Sequence, residues 1–172
     1  MARSPQQGFA STVTGKSGEM EYWARITPED DRFLIDFPAA PGCQTFADEG
    51  EDVYAVASEA IEGWLEAHLV EGDAPPRPPS GRPDVHGIAI PVHIAPTLGV
   101  RLGIRWTRQA LGMSQAALAQ KVGVSRQQIS LIESPDANLT LSTLEKIARG
   151  LGLQVDIELK SRVAPPELLA AR

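Results

Sequence analysis

The chain contains one cysteine, Cys43, among 172 residues. An intrachain disulfide is therefore impossible, and a reducing compartment is expected. No apolar run approaches the roughly 18 residues of a membrane-spanning helix. The opening stretch MARSPQQGFASTVTGKSG lacks the apolar core of a signal peptide. These absences predict a soluble, cytoplasmic protein. Histidine is scarce as well: His68, His86 and His93 are scattered and, with Cys43, show no zinc spacing. Acidic groups do cluster, at Glu29, Asp30 and Asp31 and at Asp48, Glu49, Glu51 and Asp52. They fall in turns and at a helix start, where carboxylates have structural uses. No catalytic residues, metal site or cofactor are expected.

The hydrophobic fraction of 42% is that of a globular protein, and the length accommodates one medium or two small domains. The net charge of −6 conceals an asymmetry. Residues 19–84 hold sixteen Asp/Glu against four Lys/Arg, a formal −12. Residues 85–172 hold ten Lys/Arg against six Asp/Glu, a formal +4. The C-terminal half has the sign of a nucleic-acid binder. The N-terminal half has the opposite sign, which suits a basic partner or a solubilising face.

Residues 1–18 have little to bury and read as a flexible tail. MEYWARIT (20–27) alternates and is a strand candidate, followed by a turn at Pro28–Asp31 and a second strand, RFLIDF, with Phe33, Ile35 and Phe37 on one face. A Pro41-Gly42 turn leads to a third short strand from Gln44 to Ala47. A long helix then runs to about Val70, with Val53, Val56, Ala57, Ala60, Ile61, Trp64, Leu65 and Leu69 as its apolar stripe. Five prolines in residues 71–84 exclude regular structure and predict a rigid extended segment. A fourth strand is placed near Gly87–Pro91. Together these elements predict an antiparallel sheet with a helix across it.

The most informative stretch is MSQAALAQKVGVSRQQISLIE, residues 113–133. Ser114 is a good N-cap, Gly123 a helix stop, and Ser125 with Gln128 a capping box. Two short helices joined by a tight turn make a helix-turn-helix, whose second helix enters the major groove. Gln pairs with adenine and Arg with guanine through two hydrogen bonds each. The pattern Q-x-x-L-A-x-x-x-G-V-S-x-x-x-I-S-x-x-E closely resembles the lambda-repressor/Cro-like (Xre) family over about residues 101–158. By that resemblance Gln115, Ser125, Arg126, Gln127, Gln128 and Ser130 face DNA. Ser134-Pro135-Asp136 departs from the family's Gly-containing loop, though Pro135 ends a helix cleanly.

A first helix over 96–111 precedes the motif, with Leu98, Leu102 and Ile104 as core candidates; Trp106 is open between core and partner surface. Thr140 caps a further helix, Leu141–Arg149, which Gly150-Leu151-Gly152 ends. LQVDIEL (153–159) alternates, with Leu153, Val155, Ile157 and Leu159 on one face. A lone strand must pair, either with its copy in a second chain or with residues 88–93. The dimer would match the two-fold symmetry of a palindromic operator. Residues 161–172 read as a tail.

Phe37-Pro38 and Pro41-Gly42-Cys43, followed by a strand, a long helix, a proline-rich segment and a helix-turn-helix, resemble the HicB-family antitoxins over about residues 20–80. That resemblance implies a partial RNase H-like α+β domain over residues 19–95 and an all-helical lambda-repressor-like domain over 96–160. It also implies a small basic HicA-like ribonuclease toxin as partner, operator DNA as ligand, and no intrinsic enzyme activity. Asp30, Asp31, Asp48 and Glu49, in exposed turns, are the toxin-contact candidates. The alternatives are an Xre-like regulator whose N-terminal domain senses a small molecule, or an interaction protein with a degenerate motif.

Overall fold

The structure, a computed structural model, describes residues 20–84, 87–135 and 138–157. Strands β1 (Glu21–Glu29), β2 (Arg32–Asp36) and β3 (Gln44–Asp48) precede helix α1 (Val53–Glu71) and strand β4 (Ile88–His93). Helices α2 (Pro96–Ala110), α3 (Gln115–Val122), α4 (Arg126–Ile132) and α5 (Leu141–Leu151) follow. The strands form one antiparallel sheet in the order β3-β2-β1-β4.

Alternation decides which sheet face is covered. Tyr22, Ala24 and Ile26 of β1 bury with Ile35 and Val92 against the stripe Val53, Ala57, Ile61, Leu65 and Leu69 of α1. The stripe spacing of four residues keeps these side chains on one helix face. Asp52 starts α1 by accepting from the amides of Tyr54 and Ala55 at 2.9 and 3.2 Å. The β1–β2 turn is tighter than the Pro28–Asp31 turn read from the sequence. Pro28 and Glu29 stay in β1, opposite Phe33 and Arg32, and Asp30 takes the left-handed conformation at φ 47°. Aspartate tolerates that region because its short side chain bonds locally. β4 reaches His93 and carries Pro91, which an edge strand admits because one of its sides makes no ladder bonds.

The proline-rich segment is fastened rather than free. Tyr22 donates its hydroxyl to the Pro76 carbonyl at 2.8 Å, and Trp106 donates Nε1 to the Pro75 carbonyl at 2.7 Å. Trp106 is therefore core, not partner surface: 7% of it is exposed.

Helix α2 belongs to both halves. Leu98, Leu102 and Trp106 join the core under the sheet, whereas Ile104 joins the second core with Leu118, Val122, Ile129, Ile132, Ile147 and Leu151. A boundary at residue 95 divides the elements along the chain, but not the packing. Glu62 of α1 pins the start of α2 by accepting from the Ala95 amide at 2.6 Å.

Two expectations about the C-terminal region change. Helix α5 runs two residues past Arg149, to Leu151, and within the Gly150-Leu151-Gly152 stop it is Gly152, φ 75°, that ends it. Gly150 instead leaves room for Val122, whose Cγ1 a Cβ at position 150 would overlap. The strand expected over Leu153–Leu159 is not formed over its described part, residues 153–157. Residues 153–157 have no regular secondary structure, and β4 pairs with β1 alone among the described residues. Intrachain pairing with residues 88–93 is thus absent over the described part of that segment, and Leu159 lies outside the described residues. A strand has no stable form without a partner for its amides and carbonyls. Among the described residues no helix is long and apolar enough to cross a membrane.

Candidate nucleic-acid interface

The site is built on two capped helices. Ser114 Oγ accepts from the Ala117 amide at 3.1 Å and starts α3, which Gly123 ends at φ 68°. Val124 then folds back, its amide donating to the Ala119 carbonyl at 3.0 Å. Ser125 starts α4 with a complete capping box. Its Oγ accepts from the Gln128 amide at 3.1 Å, while Gln128 Oε1 accepts from the Ser125 amide at 2.9 Å. Ile129 and Ile132 turn inward. Ser125, Arg126, Gln127, Gln128 and Ser130 are exposed.

These side chains differ in freedom. The Gln128 carbonyl oxygen is spent on the capping box, which leaves its amide nitrogen to face outward partners. Gln115 is half-buried and donates Nε2 to Glu133 Oε2 at 3.1 Å. That bond holds the Gln115 side chain against Glu133. Ser114, Gln115, Ala116 and Arg126 line a cleft of about 510 Å³ together with Arg108 and Gln109. Amides at a helix start and a guanidinium on one cleft suit an anionic backbone.

Glu133 holds the arrangement from beneath. It has no exposed surface, and it accepts from Arg108 Nε at 2.6 Å and Arg108 Nη2 at 2.8 Å. Arg105 lies on its other side, with Nη2 donating to the Glu133 carbonyl at 3.1 Å and Nε 3.5 Å from Oε2. Burial pushes the Arg105 guanidinium down from its ordinary value, and the Glu133 carboxylate opposes that shift. Sequence reasoning placed Glu133 at the end of the motif but missed both arginines. The signal available was the run Arg101, Arg105, Arg108, whose spacing of four and three residues sets them on one side of α2.

Residues 104–157 match the family model described as "HTH_3: Helix-turn-helix". This region belongs to the helix-turn-helix family. The chain is also similar to a solved structure of a single-residue HipB variant, described as its complex with an O2 20mer. The identity is 31%, the match covers 40% of this chain and 94% of that one, and the TM-score is 0.36. No curated protein matches the chain.

Outside the helix-turn-helix domain, the four acidic candidates come together at one end of the sheet. Asp30 and Asp31 form the β1–β2 turn, and Asp48 ends β3 opposite Arg32. The Glu49 amide donates to the Asp31 carbonyl at 3.1 Å. All four acidic residues are exposed. At the far end of the helix-turn-helix domain, Leu153 and Ile157 are 43% and 58% exposed, and Val155 is half-buried.

Proposed function

We propose that this protein is the antitoxin and autorepressor of a type II toxin–antitoxin system. The helix-turn-helix domain reads operator DNA, and the sheet domain binds and occludes a basic HicA-like ribonuclease toxin. The observation that carries the DNA-binding part is α4 itself. It presents Arg126, Gln127 and Ser130 outward while its far end is anchored through Glu133. In helix-turn-helix proteins the corresponding residues reach base edges from the helix N-terminus.

The toxin-binding part is supported by the charge of −12 over residues 19–84 and by the acidic end formed by Asp30, Asp31, Asp48 and Glu49. Opposite charge accelerates encounter, and apolar contacts give lasting affinity. The resemblance of Phe37-Pro38 and Pro41-Gly42-Cys43 to HicB-family domains supports the same reading, including a partial RNase H-like sheet. We infer a homodimer joined through Leu153, Val155, Ile157 and Leu159, and no catalytic activity of the chain's own.

The test is co-expression with the product of the neighbouring gene, which this reading expects to be a small basic protein. Relief of toxicity and co-purification are expected; a chain that does neither is not an antitoxin. A cleft of about 330 Å³ lined by Trp23, Pro38, Ala39, Pro76 and Arg77 favours the second reading, a regulator that senses a small molecule. Under that reading, operator affinity changes with a metabolite and the neighbouring gene product has no effect.

A further inference from the structure

We propose that His68, Glu71 and Asp73 form a binding site for a divalent transition-metal ion of the zinc class, at the C-terminal end of α1. Their ligand atoms all lie within 4.8 Å of one another. The sequence hides this set, because a search for histidine and cysteine spacing sees only one of its three members. Folding assembles it. His68 and Glu71 are three residues apart on one helix face, and Gly72 at φ 86° turns the chain so that Asp73 comes back beside them.

An independent observation points to a ligand. Among the described residues, His68 Nδ1 is out of contact with solvent and has no hydrogen-bond partner. A buried ring nitrogen without a partner loses its hydration and gains nothing in return. A metal ion bound through Nδ1 would supply the missing partner. The ring is also held in place, edge to face against Trp64 with centroids 4.2 Å apart. One imidazole and two carboxylates are a donor set for zinc, cobalt or nickel rather than for calcium or magnesium, which favour oxygen alone. Three protein ligands leave one tetrahedral position for water.

The surroundings favour a cation in one respect and oppose it in another. The negative end of the α1 dipole attracts positive charge. Arg105 brings a competing charge, since Asp73 acts on it electrostatically. Yet Arg105 bonds the main chain: Nη1 donates to the carbonyls of His68 at 3.3 Å and Asp73 at 2.7 Å. It thereby fixes both ends of the ligand-bearing turn while leaving the two carboxylates unbonded by it. Ligands around tetrahedral zinc stand roughly 3.4 Å apart at bond lengths of about 2.1 Å. Glu71 and Asp73 are exposed, so rotation of their side chains closes the remaining gap.

The test uses the full chain, freed of any affinity tag and treated with chelator. Zinc binding is measured by titration calorimetry, and cobalt binding by visible absorption. A single ion per chain with a dissociation constant on the order of 10 µM is expected, together with the absorption of tetrahedral cobalt. His68→Gln and Asp73→Asn are each expected to weaken binding by at least about tenfold. Asp73 is exposed, so the second variant keeps the fold if the first does not. Failure to bind zinc below about 1 mM overturns the site. So does binding that both variants leave unchanged, because the ion then sits elsewhere.

Discussion

Arg105 of α2 donates Nη2 to the main-chain carbonyl of Glu133, at the C-terminal end of α4, across 3.1 Å. The same guanidinium donates to the carbonyls of His68, Leu69 and Asp73 at the end of α1. One buried cation therefore ties the candidate DNA-reading helix to the sheet domain. Replacing Arg105 with alanine strands four carbonyls and leaves Glu133 with one fewer positive neighbour. A loss of about 3–5 kcal/mol is expected in urea denaturation. Lysine is expected to rescue little, since a single ammonium cannot span the same acceptors.

Arg126 and Gln127 are exposed at the start of α4, so their removal leaves the core untouched. Each base contact is worth about 1–3 kcal/mol. The double variant Arg126→Ala/Gln127→Ala is expected to lose operator affinity by at least about 30-fold in a gel-shift titration, with unchanged circular dichroism. Unchanged affinity would mean that α4 does not read DNA.

Leu153 and Ile157 expose apolar surface that the single chain does not cover. If the proposed homodimer uses this surface, Leu153→Asp/Ile157→Asp is expected to give folded monomers by light scattering. A double variant that remains dimeric moves the interface elsewhere.

Gly150 and Val122 are in contact where α5 crosses α3. Valine is stiff about χ1 and Val122 is 7% exposed, so it has little freedom to retreat from a new methyl group. Gly150→Ala is expected to cost about 1–3 kcal/mol in thermal or urea unfolding. Adding Val122→Ala relieves the overlap, so the double variant is expected to lose less than the sum of the two single changes.

Burial pushes the Cys43 thiol up to about 11 and raises the Tyr22 phenol in the same direction. A raised pKa means that the folded state keeps its proton where the unfolded state has lost it. Cys43 thus contributes stability below its ordinary value of 9.0 and loses that contribution as pH rises towards about 11. Falling stability over that window is expected by denaturant titration, with a shallower fall in Cys43→Ala. Tyr22 adds a fall of the same sign above its own ordinary value of 10.0.

The elements of both halves were legible because each is written locally. The alternation of Tyr22, Ala24 and Ile26, the four-residue stripe of α1, and the caps Ser114, Ser125 and Thr140 depend on neighbours a few residues away. So does the outward set Arg126, Gln127 and Ser130, which follows from the phase of Ile129 and Ile132. The Pro28 turn and the end of α5 at Arg149 differ in the structure for the opposite reason. Strand pairing with Phe33 holds Pro28 in β1, and packing against Val122 uses the glycine inside a helix.

By itself the sequence determined that this protein has an acidic sheet-and-helix half and a basic helix-turn-helix half, since period, caps and charge are local properties. Only the tertiary structure decided how the halves are joined. Helix α2 serves two cores, Arg105 spans from α1 to α4, and Trp106 and Tyr22 fasten the proline-rich segment. Those contacts link residues far apart in the chain, as from Arg105 to Glu133 with a separation of 28. No local pattern encodes such pairs. They follow from the need of each buried donor, once the cores have closed, to find an acceptor.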